Sequence, residues 1–237
     1  MTVEAAISPS SLVECYRLRH EAYCEDRTFL AAHSGVETDE YDVHSLHTIV
    51  RSSRSGAPLG TVRLILPQGN DALEDFPIEE KLAPGAGWQF PRHKTGEVSR
   101  FALSRRQTAI IREADHEVAG LLRLALLRGA LAMSAEAGHT HWLAIMQPTL
   151  LRLLRGDGLR FQPLGSPLDY HGWRQPVMAG LGEMLAGVAH TQPAVWRYLT
   201  REGALFTRRI VPDLRDPGSS FHGGISRAEI NGPVTAF

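Results

Sequence analysis

A carboxylate inside a predicted strand is the first feature of this sequence that points to chemistry. Glu97 lies within Gly96–Leu103, a segment that reads as a β-strand. A charged group in such a strand costs free energy unless it is paired or hydrogen-bonded. Glu97 therefore either faces solvent on a half-exposed sheet or acts as a general base, because burial raises the pKa of a carboxyl group. An amine nucleophile, which is an ammonium ion at neutral pH, would need such a base.

Two neighbours of Glu97 complete the set of catalytic candidates, Ser99 and Arg100. Because side chains alternate along a strand, Glu97 and Ser99 are predicted to share one face of the sheet. Arg100 is predicted to point to the other face.

Three acidic residues, Glu37, Asp39 and Asp42, lie close together in a turn-rich stretch. They are either solvated turn and cap residues or the acidic half of a charged network. The network would need Arg19, Arg63 and Arg100, which lie in elements that one sheet can bring together. Buried pairs of this kind are costly unless they are complete, and perturbed titratable groups cluster at functional sites. Spacing alone does not decide between the two interpretations.

A second group of arginines, Arg105, Arg106 and Arg112, lies between the Glu97 strand and the longest predicted helix. They are either solvated or placed to bind phosphate at a helix start, such as the phosphate of a pantetheine arm or of CoA. The sequence has no glycine-rich dinucleotide motif and no P-loop, so nucleotide binding has no motif support.

Several classes of site are excluded or disfavoured by what the sequence lacks. The eleven histidines include no H-E-x-x-H pair, the cysteines Cys15 and Cys24 have no metal-ligand spacing, and no serine has a G-x-S-x-G setting. We predict no metal and no hydrolase triad. The net charge of −1 gives no indication of nucleic acid as a partner.

The order of the predicted elements favours a mixed α/β sheet. An N-terminal helix, capped by Ser10 or Ser11, precedes a hairpin and a third strand, after which a strand–helix–strand pattern follows. Predicted helices cover residues 12–23, 76–82 in part, 115–137, 148–155 and 193–201, and predicted strands cover residues 45–50, 59–66, 96–103, 141–146, 159–164 and 173–181. A sheet with helices on both faces satisfies this order in one domain.

Composition predicts one domain over residues 1–212 and a loose Gly/Ser/Pro-rich tail over residues 213–237. The N-terminus has neither a basic region nor an apolar core of a signal peptide, and no stretch is predicted to span a membrane. Two cysteines are too few for a disulfide framework. We therefore expect a cytoplasmic protein.

Four segments in order resemble the acyl-homoserine lactone synthase superfamily: Tyr16–Tyr23, Glu37–Asp42, Gly60–Leu64 and Glu97–Phe101. Within that superfamily, Tyr23–Phe29 and Asp169–Pro176 look more like the PEP-CTERM/exosortase-associated acyltransferases, which are similar to long-chain N-acyl amino acid synthases. Lactone synthases tend to carry a tryptophan where this chain has Phe29, which weakens the resemblance to the lactone synthases without excluding that function.

The resemblance implies a GNAT-like fold and a set of site residues. Glu97 would be the base, and substrate would be bound by Arg19, Tyr23, Phe29, Glu37, Asp39, Asp42, Arg63 and Phe101. It also implies an acyl carrier protein as partner, or acyl-CoA, with the acyl-phosphopantetheine as donor and no permanently bound cofactor. The acceptor would be a small molecule, an amino acid, and the lipid product would bring the protein into peripheral contact with a membrane.

Three other functions are compatible with the same residues. The first is synthesis of acyl-homoserine lactone from S-adenosylmethionine, and the second is short-chain N-acetylation from acetyl-CoA. The third is a non-catalytic module that binds acyl chains or the carrier protein.

Overall fold

The computed structural model describes residues 1–25, 30, 35–69, 75–82 and 91–205 of the chain. Phe29 and the predicted tail after residue 212 lie outside the described residues. The side chains of residues 116 and 117 are likewise not described.

Eight strands and six α-helices form the described part of the chain, together with one π-helix and three short 3₁₀-helices. In chain order they are β1 (Thr2–Ala5), α1 (Pro9–His20), the π-helix Glu21–Glu25, the 3₁₀-helix Glu40–His44, β2 (Ser45–Arg51), β3 (Pro58–Ile65), the 3₁₀-helices Glu79–Lys81 and Arg92–Lys94, β4 (Thr95–Leu103), α2 (Arg105–Ala114), α3 (His116–Ala137), β5 (His141–Met146), α4 (Pro148–Gly156), β6 (Gln162–Pro163), β7 (Leu168–Asp169), β8 (Trp173–Gly180), α5 (Leu181–Thr191) and α6 (Pro193–Thr200).

The strands form one mixed sheet in the order β1-β2-β3-β4-β5-β8-β6, with β7 paired to β8. The pair β4–β5 is parallel, whereas the other pairs are antiparallel. The β4–β5 ladder covers only Thr95–Glu97 against His141–Leu143. Beyond Glu97 the two strands have no ladder contact in the described chain, so a gap opens in the middle of the sheet. The predicted mixed α/β sheet is confirmed.

Helices cover both faces of the sheet, as predicted. Val62, Leu64 and Val98 pack with α3 in the main hydrophobic core. On β2, Val50 also belongs to this core, whereas its neighbour Ile49 packs against α1 on the opposite face. The alternation follows from the two-residue repeat of a strand, which gives each face its own apolar set.

A β-bulge in β4 overturns the predicted direction of Arg100. Thr61 pairs with Ala102 and Arg63 pairs with Ser99, so Arg100 and Phe101 together oppose only Val62. Arg100 has a φ of 49°, in the left-handed region. The extra residue breaks the alternation. Arg100 therefore reaches Glu37 and Asp39, acids that it shares with Arg19 and Arg63, instead of pointing to the other face.

Other predicted elements differ mainly at their ends. Helix α1 starts at Pro9 because Ser8, rather than Ser10 or Ser11, forms the capping box with Ser11, and it gives way to the π-helix after His20. The predicted arginine-rich turn is helix α2, and the predicted strand 159–164 shrinks to Gln162–Pro163. Helix α5 and strands β1 and β7 were not predicted.

Helix α3 is apolar for most of its length. Its part Val118–Ala137 has the length and composition of a membrane span, although no such span was predicted from the sequence. In the fold, 56% of its most apolar window is buried within the protein. Most of its apolar side chains belong to the main hydrophobic core, as expected for the central helix of a compact domain.

Candidate active site

A cavity that is open to solvent occupies the gap between β4 and β5. One part of its wall is polar and the other is apolar. The polar part consists of Glu97, Ser99, Arg100, Gln147, Tyr170, His171 and Arg174, with Tyr23 beside it. The apolar part consists of Leu30, Pro77, Val98, Phe101, Leu127, Ile145, Met146, Leu150 and Leu154. Helices α3 and α4 supply the far end of this apolar wall.

Glu97 lies at the polar end and is almost completely buried. Its strand neighbours in register are Ile65 on β3 and Leu143 on β5, which are both buried. The Ile78 N–H donates a hydrogen bond to Glu97 Oε2 at 3.0 Å. Burial raises the pKa of Glu97 to about 7, against the opposing effect of the Ile78 hydrogen bond. Glu97 is therefore a carboxyl group that can both accept and release a proton near neutral pH.

A short segment around Ile78 covers Glu97. Phe76 and Ile78 are fully buried and pack with Ile65 and Leu143. The Phe76 N–H donates to Glu79 Oε2 at 3.2 Å, and the same carboxylate accepts two hydrogen bonds from the Arg92 guanidinium. The Arg92–Glu79 pair thus fixes the backbone that contacts Glu97.

Arg19 anchors the charged network that lies beside the cavity. Its guanidinium has no exposed surface. It donates to Glu37 through Nε and to both oxygens of Asp42, at 2.7 and 3.1 Å. Two carboxylates from a loop and a 3₁₀-helix are therefore held against the end of α1.

Arg63 and Arg100 complete the network from the sheet. Arg63 donates to Ser99 Oγ at 3.0 Å, to Asp42 Oδ1 at 2.8 Å and to Asp39 Oδ1. Arg100 donates to Glu37 and to Asp39 at 2.7 to 3.1 Å. Three arginines face three carboxylates, so the charges balance and each acid bridges two arginines.

The three network acids stay ionised at neutral pH. Burial alone would raise the pKa of each carboxyl group, but the hydrogen bonds and charges of the arginines outweigh it. The pKa values of Glu37, Asp39 and Asp42 are therefore lower than usual. These acids are poor proton acceptors near neutral pH, which distinguishes them from Glu97.

His47 lies next to the network without taking part in its hydrogen bonds. Its Nε2 is 3.6 Å from Asp42 Oδ1, and its ring packs edge-on against Tyr16. Burial lowers the pKa of His47 to about 4, so the ring is neutral at physiological pH. Within the described residues, no group of three or more His, Cys, Asp or Glu side chains is arranged to hold a metal ion.

Two of the three aromatic residues predicted to bind substrate, Tyr23 and Phe101, lie at the cavity. The Tyr23 hydroxyl donates to the Phe101 carbonyl at 3.0 Å, and the Arg100 guanidinium lies 5.9 Å from the centre of the Tyr23 ring. Both Tyr23 and Phe101 line the cavity. Phe29 lies outside the described residues.

Two groups of predicted site residues do not line the cavity. Arg19, Arg63 and the three acids stand behind Ser99 and Arg100 and do not line it. Arg105, Arg106 and Arg112 lie on α2 with exposed side chains and do not line it either. Helix α2 nevertheless begins directly at the end of β4, with Ser104 as its N-cap.

Four polar residues of the site received no role from the sequence: Gln147, Tyr170, His171 and Arg174. The segment Asp169–Pro176 served only as a marker of resemblance. The glycine of this segment and its position at the start of a strand indicated a turn that could border a site. Which cavity the turn borders depends on the pairing of β8 with β5.

Comparison with known proteins agrees with this geometry. Residues 18–109, from α1 through the first half of α2, match the family model of the acetyltransferase (GNAT) domain. No curated protein sequence matches the chain.

Solved structures share the fold at low sequence identity. BjaI, a CoA-dependent acyl-homoserine lactone synthase, has a TM-score of 0.60 and 21% identity, over 84% of this chain and 86% of its own. MesI, another CoA-dependent acyl-homoserine lactone synthase, has a TM-score of 0.58 and 19% identity, over 87% and 96%. FeeM, an N-acyl amino acid synthase from uncultured soil microbes, has a TM-score of 0.52 and 15% identity, over 81% and 96%. The chain has the fold of GNAT acyltransferases.

Proposed function

We propose that this GNAT-fold protein is an N-acyltransferase that moves a long-chain fatty acyl group from a carrier thioester to the amino group of an amino acid. One observation carries the proposal. A buried carboxyl group, Glu97, has a pKa near neutrality and stands at the polar end of a cavity whose other end is apolar. An amine and an acyl chain are the two substrates that such a cavity suits.

The apolar wall supports a fatty acyl group as the transferred group. Val98 and Met146 belong to the α3 side of the sheet, whereas Glu97 lies on the other side. The cavity therefore continues through the gap in the sheet toward Leu127, Leu150 and Leu154. Each methylene of an acyl chain buried there would contribute about 0.8 kcal/mol.

Glu97 would start the reaction by taking a proton from the substrate ammonium, directly or through one water. The free amine then attacks the thioester carbonyl, and backbone N–H groups of β4 facing the gap stabilise the oxyanion that forms. The C–S bond breaks as the oxyanion collapses. The nitrogen loses its second proton to the leaving sulfur, so the products are the amide and the carrier thiol.

The charged network would serve as the rigid wall of this site. Ser99 and Arg100 line the cavity, and Arg63 and the acids hold them in place. We keep Arg63 as a substrate-binding candidate only in this indirect sense, because its side chain has no exposed surface. Arg19 acts in the same way from α1.

The donor is proposed to be the acyl-phosphopantetheine of an acyl carrier protein, or acyl-CoA. Arg105, Arg106 and Arg112 remain the candidates for its phosphate, since α2 begins where β4 ends. We further propose a single domain over residues 1–212 and a cytoplasmic location, with membrane contact only through the lipid product. Membership of the PEP-CTERM-associated subfamily stays a prediction.

Synthesis of acyl-homoserine lactone is the second candidate, because two of the solved structures described above, BjaI and MesI, are synthases of that class. It would use the same base and the same acyl cavity, with S-adenosylmethionine as the amine. The two candidates share the acyl transfer and differ in the acceptor, and the second also needs lactone closure, in which the acceptor's carboxylate displaces methylthioadenosine.

A product assay separates the candidates. Purified protein is given hexadecanoyl-acyl carrier protein or hexadecanoyl-CoA with the twenty amino acids, or with S-adenosylmethionine, and products are identified by mass. The proposal predicts N-hexadecanoyl amino acids. A homoserine lactone would select the second candidate. Turnover of acetyl-CoA alone would indicate a short-chain acetyltransferase, and bound acyl chain without product would indicate a binding module.

A further inference from the structure

One oxygen of the Glu97 carboxyl group is occupied by a backbone donor. The Ile78 N–H donates to Oε2 at 3.0 Å, and both residues are buried. Within the described part of the chain, no second hydrogen bond reaches this carboxyl group. Because Glu97 also lines the cavity, Oε1 is the oxygen that is left to take a proton from a substrate.

The turn that carries the Ile78 N–H is closed at both ends by Glu79. The Phe76 N–H donates to Glu79 Oε2 at 3.2 Å, and the Glu79 N–H donates to the Phe76 carbonyl at 2.9 Å. Arg92, just before β4, donates to both oxygens of Glu79 and lies 3.6 Å from Asp75 Oδ2. The turn is therefore tied to the start of the strand that carries Glu97.

The apolar packing of the turn does not by itself explain the direction of the N–H. Phe76 and Ile78 are fully buried against Ile65 and Leu143, which keeps the turn on the sheet. The hydrophobic effect is non-directional, however. The hydrogen bonds of Glu79 are directional and fix the orientation of the backbone between residues 76 and 79.

We infer that Glu79 is a positioning residue for the base: its carboxylate keeps the Ile78 N–H on Glu97 Oε2, which stabilises the ionised base and leaves Oε1 to face the acceptor's ammonium group. A hydrogen bond to the charged form of a carboxyl group favours that form. The inference rests on the proposed function, in which Glu97 is the base.

Glu79 acts on Glu97 in two ways that have opposite signs. Burial has the largest effect on the pKa of Glu97 and raises it. The Ile78 N–H, which Glu79 holds, lowers this pKa, whereas the negative charge of Glu79 raises it. The charged or titratable side chains that interact with Glu97 are those of Arg63 on β3, Arg100 on β4, Glu79 and Tyr41. The direction of the shift in a Glu79 variant therefore shows which effect dominates.

The test follows the titration of Glu97 in the full chain. NMR of ¹³C-labelled glutamate carboxyl groups gives its pKa, with the Glu97 signal identified by its loss in Glu97→Gln. The acid limb of kcat/KM is measured with hexadecanoyl-CoA and the best amino acid acceptor from the product assay. The proteins are wild type, Glu79→Ala, Glu79→Gln and the control Glu80→Ala, which removes the neighbouring carboxylate, 45% exposed.

Glu79→Ala should raise both midpoints by about one pH unit, the size expected for the loss of one hydrogen bond to a charged group. At pH 6, kcat/KM should then be about tenfold below wild type. Glu79→Gln keeps an acceptor for the Phe76 N–H and loses the charge, so its midpoints should not rise. Glu80→Ala should match wild type.

A folded Glu79→Ala whose midpoints stay in place or fall would overturn the inference, because Glu79 would then act through its charge alone. If Glu79→Ala does not fold, Ile78→Pro and Ile78→Ala decide. Both shorten the side chain, but only proline removes the N–H, at the φ of −65° that Ile78 already has. The midpoints should be higher in Ile78→Pro, and equal midpoints would overturn the inference.

Failure of the proposed function has a different signature. A wild type that acylates no amino acid or amine would overturn that function. The NMR titration of Glu97 needs no turnover, so it would still show whether Glu79 holds the Ile78 N–H in place.

Discussion

The protonation state of Glu97 sets the pH range in which the proposed reaction can run. Its carboxyl group is enclosed by Ile65, Ile78 and Leu143, and burial raises its pKa to about 7. As the base it must be ionised, so the active fraction falls when the pH drops through this value. The neighbouring charges that oppose or add to the shift are those of Arg63, Arg100 and Glu79.

We expect Glu97→Gln to lower kcat about 10²- to 10⁴-fold, the usual contribution of a general base. In wild type, kcat/KM should fall about tenfold per pH unit below about 7, and this acid limb should be absent in the variant. Rates measured between pH 5 and 9 test both points. Glu136→Gln, at an exposed position late in α3, is the control and should keep the wild-type profile.

Arg19 illustrates a residue whose main effect is on stability. Replacing it with methionine leaves three buried acids with two arginines, because Glu37 then keeps only Arg100 and Asp42 keeps only Arg63. We expect a loss of about 3–5 kcal/mol in the free energy of unfolding, measured by urea denaturation.

The control for Arg19→Met is Arg51→Met, which breaks pairs with Glu4 and Glu14 at the surface, where their side chains are 48% and 34% exposed. Such pairs contribute about 0–1 kcal/mol. Equal losses in the two variants would contradict the buried-network interpretation.

At the scale of elements, the packing of α3 on β2 depends on a glycine. A Cβ atom at Gly129 would lie 2.9 Å from Thr48 Cβ and closer still to its methyl group, whereas one at Gly120 of the same helix would meet nothing within 4 Å. The helix thus approaches the sheet closely at one point.

Gly129→Ala should therefore destabilise the protein by about 1–3 kcal/mol through overpacking. Gly120→Ala should stabilise it by about 0.5–1 kcal/mol, because alanine favours the helix and nothing opposes its methyl group. Thermal unfolding of the pair measures the difference. A gain for both variants would mean that α3 does not approach β2 as closely as described.

The bulge in β4 is a second feature at this scale. It brings Arg100 to the acids that Arg19 and Arg63 also contact, and it lies just beyond the point where the β4–β5 ladder ends. One irregular residue thus both completes the network and borders the cavity. Bulges commonly redirect a side chain in this way beside active sites.

At the scale of the whole molecule, the gap between β4 and β5 connects the two faces of the sheet. The polar groups lie on the α1 face and the apolar end of the cavity lies under α3 and α4. The acceptor and the acyl chain would therefore approach from opposite sides of one sheet and meet at Glu97.

We expect Leu150→Trp to shift donor preference toward shorter acyl chains by narrowing the apolar end. Leu150 lines the cavity on α4. Leu153→Trp on the same helix, where the leucine is 54% exposed, is the control and should leave chain-length preference unchanged. Rates with C4 to C18 acyl donors measure the shift. An unchanged chain-length preference for Leu150→Trp would mean that the acyl chain does not bind beside Leu150.

Local patterns in the sequence predicted much of the framework. The β2–β3 hairpin, β4, β5, α3, α4 and β8 were predicted close to their observed bounds. Each of these predictions rests on the periodicity of apolar residues and on the capping or turn residues at the ends of the element. Both signals are local in the sequence. Glu97 was identified in the same way, because a carboxylate in an apolar strand is conspicuous without knowledge of the fold.

Only the tertiary structure decided what surrounds these residues. Arg100 and Glu37 are 63 residues apart in sequence, and the direction of Arg100 depends on a bulge that alternation does not anticipate. The cover that Ile78 forms over Glu97 and the position of Arg174 beside the cavity depend on long-range contacts and strand register. The physical reason is that side-chain periodicity acts over about four residues, whereas burial and ion pairing are fixed by segments that meet only after the sheet has formed.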